Sequence, residues 1–428
     1  MHTVSTSAKS RNSVAVIGGG PAGMMAAVFC AQNGADVCLF EKNEKTGKKL
    51  YITGKGRCNF TNACNREEFL LHVPRNSRFL YSALSLFSPD DMMAWLENAG
   101  CPVKVERGRR AFPRSDKASD VTRALCSEMT RLGVSVRTDS EVAGINTVCE
   151  DGAERVRGLK LKNGSFFPSD AVIVATGGLS YPSTGSTGDG YRFARETGHP
   201  VTDLSPSLTG IELKEAWPSQ LQGLSLKNVR ITIFAGSKKR MSETGEMLFT
   251  HYGISGPLVL EASSILSGGS FKDCVISLDM KPAVSEEQLL TDVSELVRLG
   301  GAKTVANAVM PLFPRRMTEP FLIACGLDPH TPASQLPSSS RRAIAVGLKR
   351  LDMTPVSLRP FSEAIITRGG VDIRSVNPST MGSRLVSGLY FAGEVLDVDA
   401  FTGGYNLQIA FSTGALAGRS AALQTFTA

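Results

Sequence analysis

The run Ser13-Val14-Ala15-Val16-Ile17-Gly18-Gly19-Gly20-Pro21-Ala22-Gly23 decides the fold. Its first five residues are apolar and partly β-branched, the pattern of a buried parallel strand. The glycines at 18, 20 and 23 have the G-x-G-x-x-G spacing of a dinucleotide-binding turn. Gly18 permits the sharp turn, Gly20 lets the backbone approach a pyrophosphate, and Gly23 lets the helix lie close on the strand. Met24 to Gln32 is apolar nearly all round and reads as a buried helix that Asn33-Gly34 stops. Its N-terminus, with Pro21 and Ala22 in the first turn, offers free N–H groups and a positive dipole end to phosphate. Asp36-Val37-Cys38-Leu39-Phe40 is a second strand, and it leads to Glu41, 18 residues beyond Gly23. An acid at that place accepts hydrogen bonds from an adenosine ribose and disfavours a 2′-phosphate, so FAD or NAD fits better than NADP.

Three later segments favour FAD. Ala171-Val172-Ile173-Val174-Ala175-Thr176-Gly177-Gly178 is a strand ending in a Gly pair, and Leu389-Tyr390-Phe391-Ala392-Gly393-Glu394 is a strand ending in Gly and an acid. Gly403-Gly404-Tyr405-Asn406-Leu407 then opens an apolar helix through Ala417. An early nucleotide turn and a late Gly-acid strand suit an extended cofactor, with the ADP half on the first and the ribityl chain on the second. The helix starting near Asn406 would aim its positive end at the flavin N1–C2 carbonyl edge, which becomes anionic on reduction.

The remainder of the chain sets bounds. At 428 residues it is long enough for two to four structural units and for a core without staples. Hydrophobic residues make up 42% and charged residues 20%, which excludes general disorder. Glycine is 42 of 428 with no collagen period, so the glycines serve turns and close backbone approach. The polar start Met1–Asn12 has no apolar signal core, and no stretch of about 18 apolar residues exists, so neither secretion nor a membrane partner is expected. Nine scattered cysteines without a C-x-x-C pair read as reduced thiols of a cytoplasmic protein. Histidines 2, 72, 199, 251 and 330 lack ligand spacing, so no metal is expected. The charge difference, 47 Lys+Arg against 40 Asp+Glu, is +7, which suits an anionic cofactor and does not by itself argue for nucleic acid.

With these residues in view, the chain resembles the bacterial NAD(P)/FAD-dependent flavoproteins related to 3-dehydro-bile acid delta4,6-reductase and aminoacetone oxidase. The resemblance runs from about residue 12 onward. It rests on Val16–Gly23, Gly47-Lys48-Lys49-Leu50-Tyr51-Ile52-Thr53-Gly54-Lys55-Gly56-Arg57-Cys58-Asn59-Phe60-Thr61-Asn62, Ala175–Gly178 with Thr187–Gly190, Leu248–Pro257, and Gly393–Asp399 through Asn406. It implies an α/β fold: a Rossmann-like FAD-binding domain of the glutathione-reductase-like superfamily, with an inserted β-barrel and helical subdomain. The FAD domain would hold residues 1–195 and 356–428, and the substrate insert residues 196–355, with its helical part at about 282–350. The sequence agrees: Leu208–Leu213, Leu226–Phe234 and Cys274–Lys281 have strand patterning, and Glu286–Leu299 has helical spacing with Ser285 as N-cap and Gly300 as stop. Pro/Ser-rich Asp328–Ser340 reads as a loop.

The cofactor residues that this reading assigns are Gly18, Gly20, Pro21, Ala22, Gly23, Glu41, Lys42, Lys48, Lys49, Thr53, Gly54, Gly56, Arg57, Cys58, Asn59, Val142, Ala175, Thr176, Gly177, Gly178, Gly393, Glu394, Gly404, Tyr405, Asn406 and Leu407. In the 48–62 loop, backbone contacts from Thr53, Gly54, Cys58 and Asn59 are favoured over any single cation, and Cys58 is read as packing rather than as a redox thiol. His251 and Tyr405 are the candidate proton donors, since imidazole carries a proton near neutrality. Each also has a structural reading, His251 as a turn residue and Tyr405 as a packing aromatic. The leading reaction is reduction of an activated C=C, an enone or dienone, by hydride from flavin N5, with NAD(P)H as electron donor although no second G-x-G-x-x-G is present. The alternatives are a small-amine oxidase that uses dioxygen and an FAD-dependent RNA-modification or interaction protein. The expected partner is a small-molecule substrate, with neither a membrane nor nucleic acid, and the sequence assigns no oligomeric state.

Overall fold

A computed structural model of the chain describes residues 11–424; the polar start lies outside the described residues up to position 10. The chain divides into two compact units, Met1–Ser205 with Ile366–Ala428, and Pro206–Ile365. These divisions fall ten residues beyond each junction expected from the sequence (205 against 195, 365 against 355). On the first side, Val201 bridges to Val371 and the Asp372 N–H donates to the Pro200 carbonyl, which ties residues 200–202 to the nucleotide unit. On the other side, Pro355–Leu358 pairs with Ile211–Leu213 and so belongs to the insert.

The first unit is built on a five-stranded sheet. Its strands are β1 (Ser13–Ile17), β2 (Asp36–Phe40), β3 (Ser135–Arg137), β4 (Ala171–Val174) and β5 (Leu389–Phe391), in the order β5-β4-β1-β2-β3, with all neighbours parallel. β1 and β4 are almost wholly buried, which explains their unbroken apolar runs. Between β1 and β2 the chain forms α1 (Pro21–Gln32), and Gly34 at φ +86° ends it. Near the C-terminus comes α2 (Tyr405–Leu423), buried along most of its length. The two helices touch through small residues: a Cβ at Gly414 would lie 2.3 Å from the Ala22 carbonyl oxygen, and one at Gly418 would lie 2.3 Å from that of Ala26. The crossover between β3 and β4 is an antiparallel sheet that starts with Val142–Glu150 and Ala153–Leu161.

The second unit has its own core, around residues such as Ile231, Phe249, Ile276 and Phe321. Seven strands form one sheet whose two outer members are Leu351–Met353 and Pro355–Leu358. Only Thr354 separates them in the chain, so the sheet wraps round until its edges share one run of backbone and makes a barrel-like wall. The helix Glu286–Gly300 starts where the sequence placed it, with the Ser285 hydroxyl accepting the Gln288 N–H at 3.2 Å. The Pro/Ser-rich stretch is only partly a loop, because a helix, Ser338–Lys349, begins inside it.

Candidate functional site

The nucleotide turn has the geometry its glycines demand. Gly18 sits at φ +102°, and a Cβ there would lie 2.6 Å from the Ala175 carbonyl oxygen. A Cβ at Gly23 would lie 1.9 Å from the Gly18 oxygen, so only glycine lets α1 rest on the turn. Gly20 is different: its backbone is extended, and a Cβ would meet nothing within 4 Å. Open space therefore lies in front of the start of α1. The helix has no side-chain cap and no acid in its first turn, so its free N–H groups face that space unneutralised. α2 begins the same way, with Gly404 at φ +100°, no side-chain cap and no acid in the first turn.

Close glycine contacts bring the sequence-predicted segments together at the carboxyl ends of the parallel strands, where open α/β sheets bind ligands. A Cβ at Gly393 would meet that of Ala22 at 2.7 Å, one at Gly178 would meet the Thr367 hydroxyl at 2.5 Å, and one at Gly404 would meet Thr61 backbone at 2.4 Å. Gly177 and Gly393 themselves take positive φ. Around these turns three buried oxygens have no hydrogen-bond partner among the described residues: Asn59 Oδ1, Thr61 Oγ1 and Thr176 Oγ1. Buried polar atoms are left unmade only at a cost. Two uncapped helix starts, an open cradle at Gly20 and this row of orphaned oxygens fit an extended cofactor carrying phosphates and many polar atoms.

Glu41 is buried at the end of β2. Its Oε2 accepts the Gly19 N–H at 2.8 Å, and its Oε1 accepts both N–H groups of Asn43, at 2.8 and 2.6 Å. Val142 lies on the neighbouring segment, which is tied in where the Ser140 N–H donates to the Glu41 carbonyl. In the 48–62 loop, Gly54, Lys55, Gly56 and Cys58 all adopt positive φ, so the backbone is tightly coiled. Thr53 is held by its own loop: its hydroxyl donates to the Leu50 carbonyl and its carbonyl accepts the Cys58 N–H. Burial pushes the Cys58 thiol up to about 12, so it stays a neutral packing group.

The cations assigned from the sequence pair with carboxylates within the unit. Lys42 pairs with Asp189 at 2.6 Å, Lys48 with Glu44 at 2.8 Å and Lys49 with Glu394 at 2.7 Å. Arg57 pairs with Glu106 at 2.5 Å and Asp116 at 2.6 Å, and lies over the Phe112 ring. Glu394 is a hub: besides Lys49 it accepts the Ser180 hydroxyl at 2.7 Å and the Thr367 N–H at 2.9 Å. Asn406 clamps the turn before α2, accepting the Ala400 N–H and donating to the Ala400 and Phe401 carbonyls, while Leu407 packs on the core. Tyr405 is buried, stacked on His72 at 4.4 Å and edge-on to Phe69 at 5.1 Å. His251 belongs to the second unit, where it is exposed and lies edge-on to Tyr252 at 4.9 Å.

Sequence reasoning missed Ser180 and Thr367, which hold the Gly178 and Glu394 turns. Ile366–Arg368 is a strand that ends in Gly369-Gly370, the same strand-then-Gly-pair signal that marked Ala175–Gly178.

The sequence matches the family model of the HI0933-like protein Rossmann domain over residues 12–420. It is 31% identical over 96% of its length to 3-dehydro-bile acid delta(4,6)-reductase of Clostridium scindens, covering 99% of that protein. It is also 31% identical over 93% of its length to a ribosomal RNA dihydrouridine synthase of Haemophilus influenzae, covering 95% of that protein. Among solved structures, the fold is similar to that of 3-ketosteroid-delta4-(5alpha)-dehydrogenase from Rhodococcus jostii RHA1, with TM-score 0.50, 16% identity and 99% of both chains covered. No helix among the described residues is long and apolar enough to cross a membrane. The match along almost the whole chain, together with the cradle and helix starts described above, makes this chain a member of the HI0933-like Rossmann-domain family and an FAD-dependent oxidoreductase.

Proposed function

We propose that this protein reduces a carbon–carbon double bond conjugated to a carbonyl, with NAD(P)H as the electron donor. One observation carries the reading. Two relatives that match nearly the whole chain bear names with different substrates but the same chemistry: a bile-acid dienone reductase and a dihydrouridine synthase. Dihydrouridine is uridine whose ring double bond, conjugated to a ring carbonyl, has been saturated. Bound FAD supplies hydride to the β-carbon of such a system. The chain's own residues do the rest. The Gly18–Gly23 turn and the start of α1 hold the pyrophosphate, and the start of α2 favours negative charge at the flavin edge. Saturation then requires a proton at the α-carbon. His251 is the candidate donor, since its ring is exposed and makes no hydrogen bond among the described residues.

The leading substrate class is a small enone or dienone. A second reading, in which the double bond belongs to a base in RNA, has its own support. The tip of the hairpin Ser225–Ala235 and Lys238–Thr250 carries Lys238, Lys239 and Arg240, with Lys272 on the next turn. All four are exposed, and none forms an ion pair among the described residues. Such a cluster suits phosphate backbone. With the dihydrouridine synthase relatives, it weakens the expectation that nucleic acid is not a partner.

The test is anaerobic mixing of the holoenzyme with NADH or NADPH, followed by a small enone, a uridine-containing RNA, or dioxygen. The reading predicts that a nicotinamide bleaches the flavin and that an enone restores it. RNA as the sole effective acceptor, with turnover that falls steeply as salt rises, would select the second reading. Bleaching by small amines with peroxide release would select an oxidase. Replacing His251 with Gln is expected to lower turnover about 10²-fold or more, the usual range for a general acid, with FAD still bound. Unchanged turnover removes His251 from the reaction.

A further inference from the structure

The hairpin Val103–Glu106 and Arg110–Pro113 turns through Arg107-Gly108-Arg109, with Gly108 at φ +74°. This turn is tied to the start of α2. The Asn62 amide donates to the Gly108 carbonyl at 3.0 Å and to the Gly403 carbonyl at 3.2 Å, and the Ala63 N–H donates to the Arg109 carbonyl at 2.7 Å. Gly404, the residue before α2, lies so close to Thr61 that a Cβ would come within 2.4 Å of its backbone. The 53–57 loop covers the same hairpin. A Cβ at Gly54 would lie 3.7 Å from the Phe112 ring, Arg57 stands over that ring at 4.2 Å, and Arg110 lies 6.0 Å from its centre. Hairpin turn, loop and uncapped helix start are therefore neighbours within the nucleotide unit.

This corner holds most of the chain's excess charge. Residues 54–57 and 104–117 carry eight cations and two carboxylates, a net +6 against +7 for the whole chain. Both carboxylates are already engaged: Glu106 by Arg57 at 2.5 Å and Lys104 at 3.3 Å, and Asp116 by the same two cations at 2.6 Å each. Arg109 contacts Glu68. Lys55, Arg107 and Arg110 are exposed and form no ion pair among the described residues. The Arg110 Nε donates to the Arg107 carbonyl at 3.1 Å, which holds the guanidinium at the turn and leaves its outer donors for a ligand. Like charges gathered without counter-charges repel one another, and phosphate relieves that repulsion through charge-assisted hydrogen bonds.

We propose that Lys55, Arg107 and Arg110 receive the phosphates of the nicotinamide donor, and that this donor is the 2′-phosphorylated form, NADPH. The inference rests on the FAD-dependent reductase reading and adds which dinucleotide serves it. A nicotinamide donor brings its ring to the flavin while its phosphates are held alongside. The one G-x-G-x-x-G turn and the two uncapped helix starts described above are allotted to FAD, so the phosphates of a second dinucleotide fall to side chains. A 2′-phosphate adds negative charge beyond the pyrophosphate, and an arginine fork beside the ribose is the usual way to accept it. The grouping of the free cations on one turn and one loop suits a compact ligand rather than the long phosphate track of RNA.

The experiment uses holoenzyme of the wild type, of the double variant Arg107→Ala/Arg110→Ala, and of Arg107→Lys. One arm titrates each by calorimetry with adenosine 2′,5′-bisphosphate and with 5′-AMP, which lacks only the 2′-phosphate. The other arm follows flavin bleaching against the concentration of NADPH or NADH in anaerobic stopped flow. The wild type is expected to bind the bisphosphate and NADPH at least about tenfold more tightly than 5′-AMP and NADH, the yield of charge-assisted hydrogen bonds to the added phosphate. The double variant should lose that preference with FAD still bound, and Arg107→Lys should keep part of it. Equal affinity for the two forms in the wild type, or an unchanged preference in the double variant, overturns the proposal. So does a double variant that keeps its NADPH preference but no longer binds a uridine-containing RNA hairpin, which gives the cations to nucleic acid. Should the double variant fail to retain FAD, Lys55→Gln is read by the same criteria. An enzyme that shows the NADPH preference and its loss, yet is reoxidised by no enone, sinks the reductase reading and leaves the phosphate site standing.

Discussion

Gly20 and Gly23 lie three residues apart, and the structure gives them opposite tasks. A side chain at Gly20 would collide with no part of the protein, whereas a Cβ at Gly23 would overlap the Gly18 oxygen at 1.9 Å. Gly20→Val should therefore fold normally and lose FAD, with flavin content at least about tenfold lower, equivalent to ~1.4 kcal/mol. Gly23→Val should instead lose about 1–3 kcal/mol or more of stability, because overpacking forces the helix off the turn. Normal flavin absorbance in purified Gly20→Val would show that the pyrophosphate lies elsewhere. His199 supplies a pH prediction at the same scale. It is buried, with one ring nitrogen 3.0 Å from Thr197 Oγ1 and the other 2.7 Å from Ser383 Oγ, and burial lowers its pKa from 6.5. The unfolded chain thus binds a proton more readily than the folded one. His199 contributes no penalty above pH ~6.5, and stability falls as pH drops below that value toward the folded pKa. Melting temperatures from pH 8 to 5 should fall less steeply in His199→Gln than in wild type, and parallel curves would contradict the assignment.

At the scale of the element, α1 and α2 hold the cradle by lying unusually close. Gly414 and Gly418 of α2 face the carbonyls of Ala22 and Ala26 in α1, and the Cys30 thiol donates to the Gly418 carbonyl at 3.2 Å. Small residues four apart let two helix backbones meet, and dispersion then acts along the whole seam. Gly418→Leu should push the helices apart, cost about 1–3 kcal/mol by overpacking, and weaken FAD binding, because the first turn of α1 moves with the helix. A urea midpoint equal to that of wild type would show that the seam is not tightly packed. The same seam shows what a sequence conveys. The helix from Gly404 was legible from its apolar run and opening glycines, but its contact with α1 was not, because a contact requires knowing which two helices meet. The partners of the cations of the 48–62 loop are hidden for the same reason. Lys49 is placed in the cofactor set from the sequence, and only the fold shows Glu394, 345 residues away, at 2.7 Å.

At the scale of the whole molecule, the nucleotide unit was legible because its signals are local: strand, glycine turn, helix, strand and acid follow one another within thirty residues of chain. The wrapped sheet of the insert was legible only as scattered strands, because its closure depends on Leu351–Met353 and Pro355–Leu358 pairing at opposite edges. Thr367 was missed although its Gly369-Gly370 signal was present, since a strand of three residues has little periodicity to read. Tyr405 sits in the predicted motif, but its ring packs on His72, which lies more than three hundred residues earlier in the chain. The most direct measurement is to photoreduce the holoenzyme anaerobically, without any nicotinamide, and mix it with a conjugated ketone. Reduction of the conjugated double bond by the flavin predicts reoxidised flavin and one equivalent of the saturated ketone per flavin. Reduced flavin that persists with every conjugated acceptor, yet reoxidises at once in dioxygen, would contradict it.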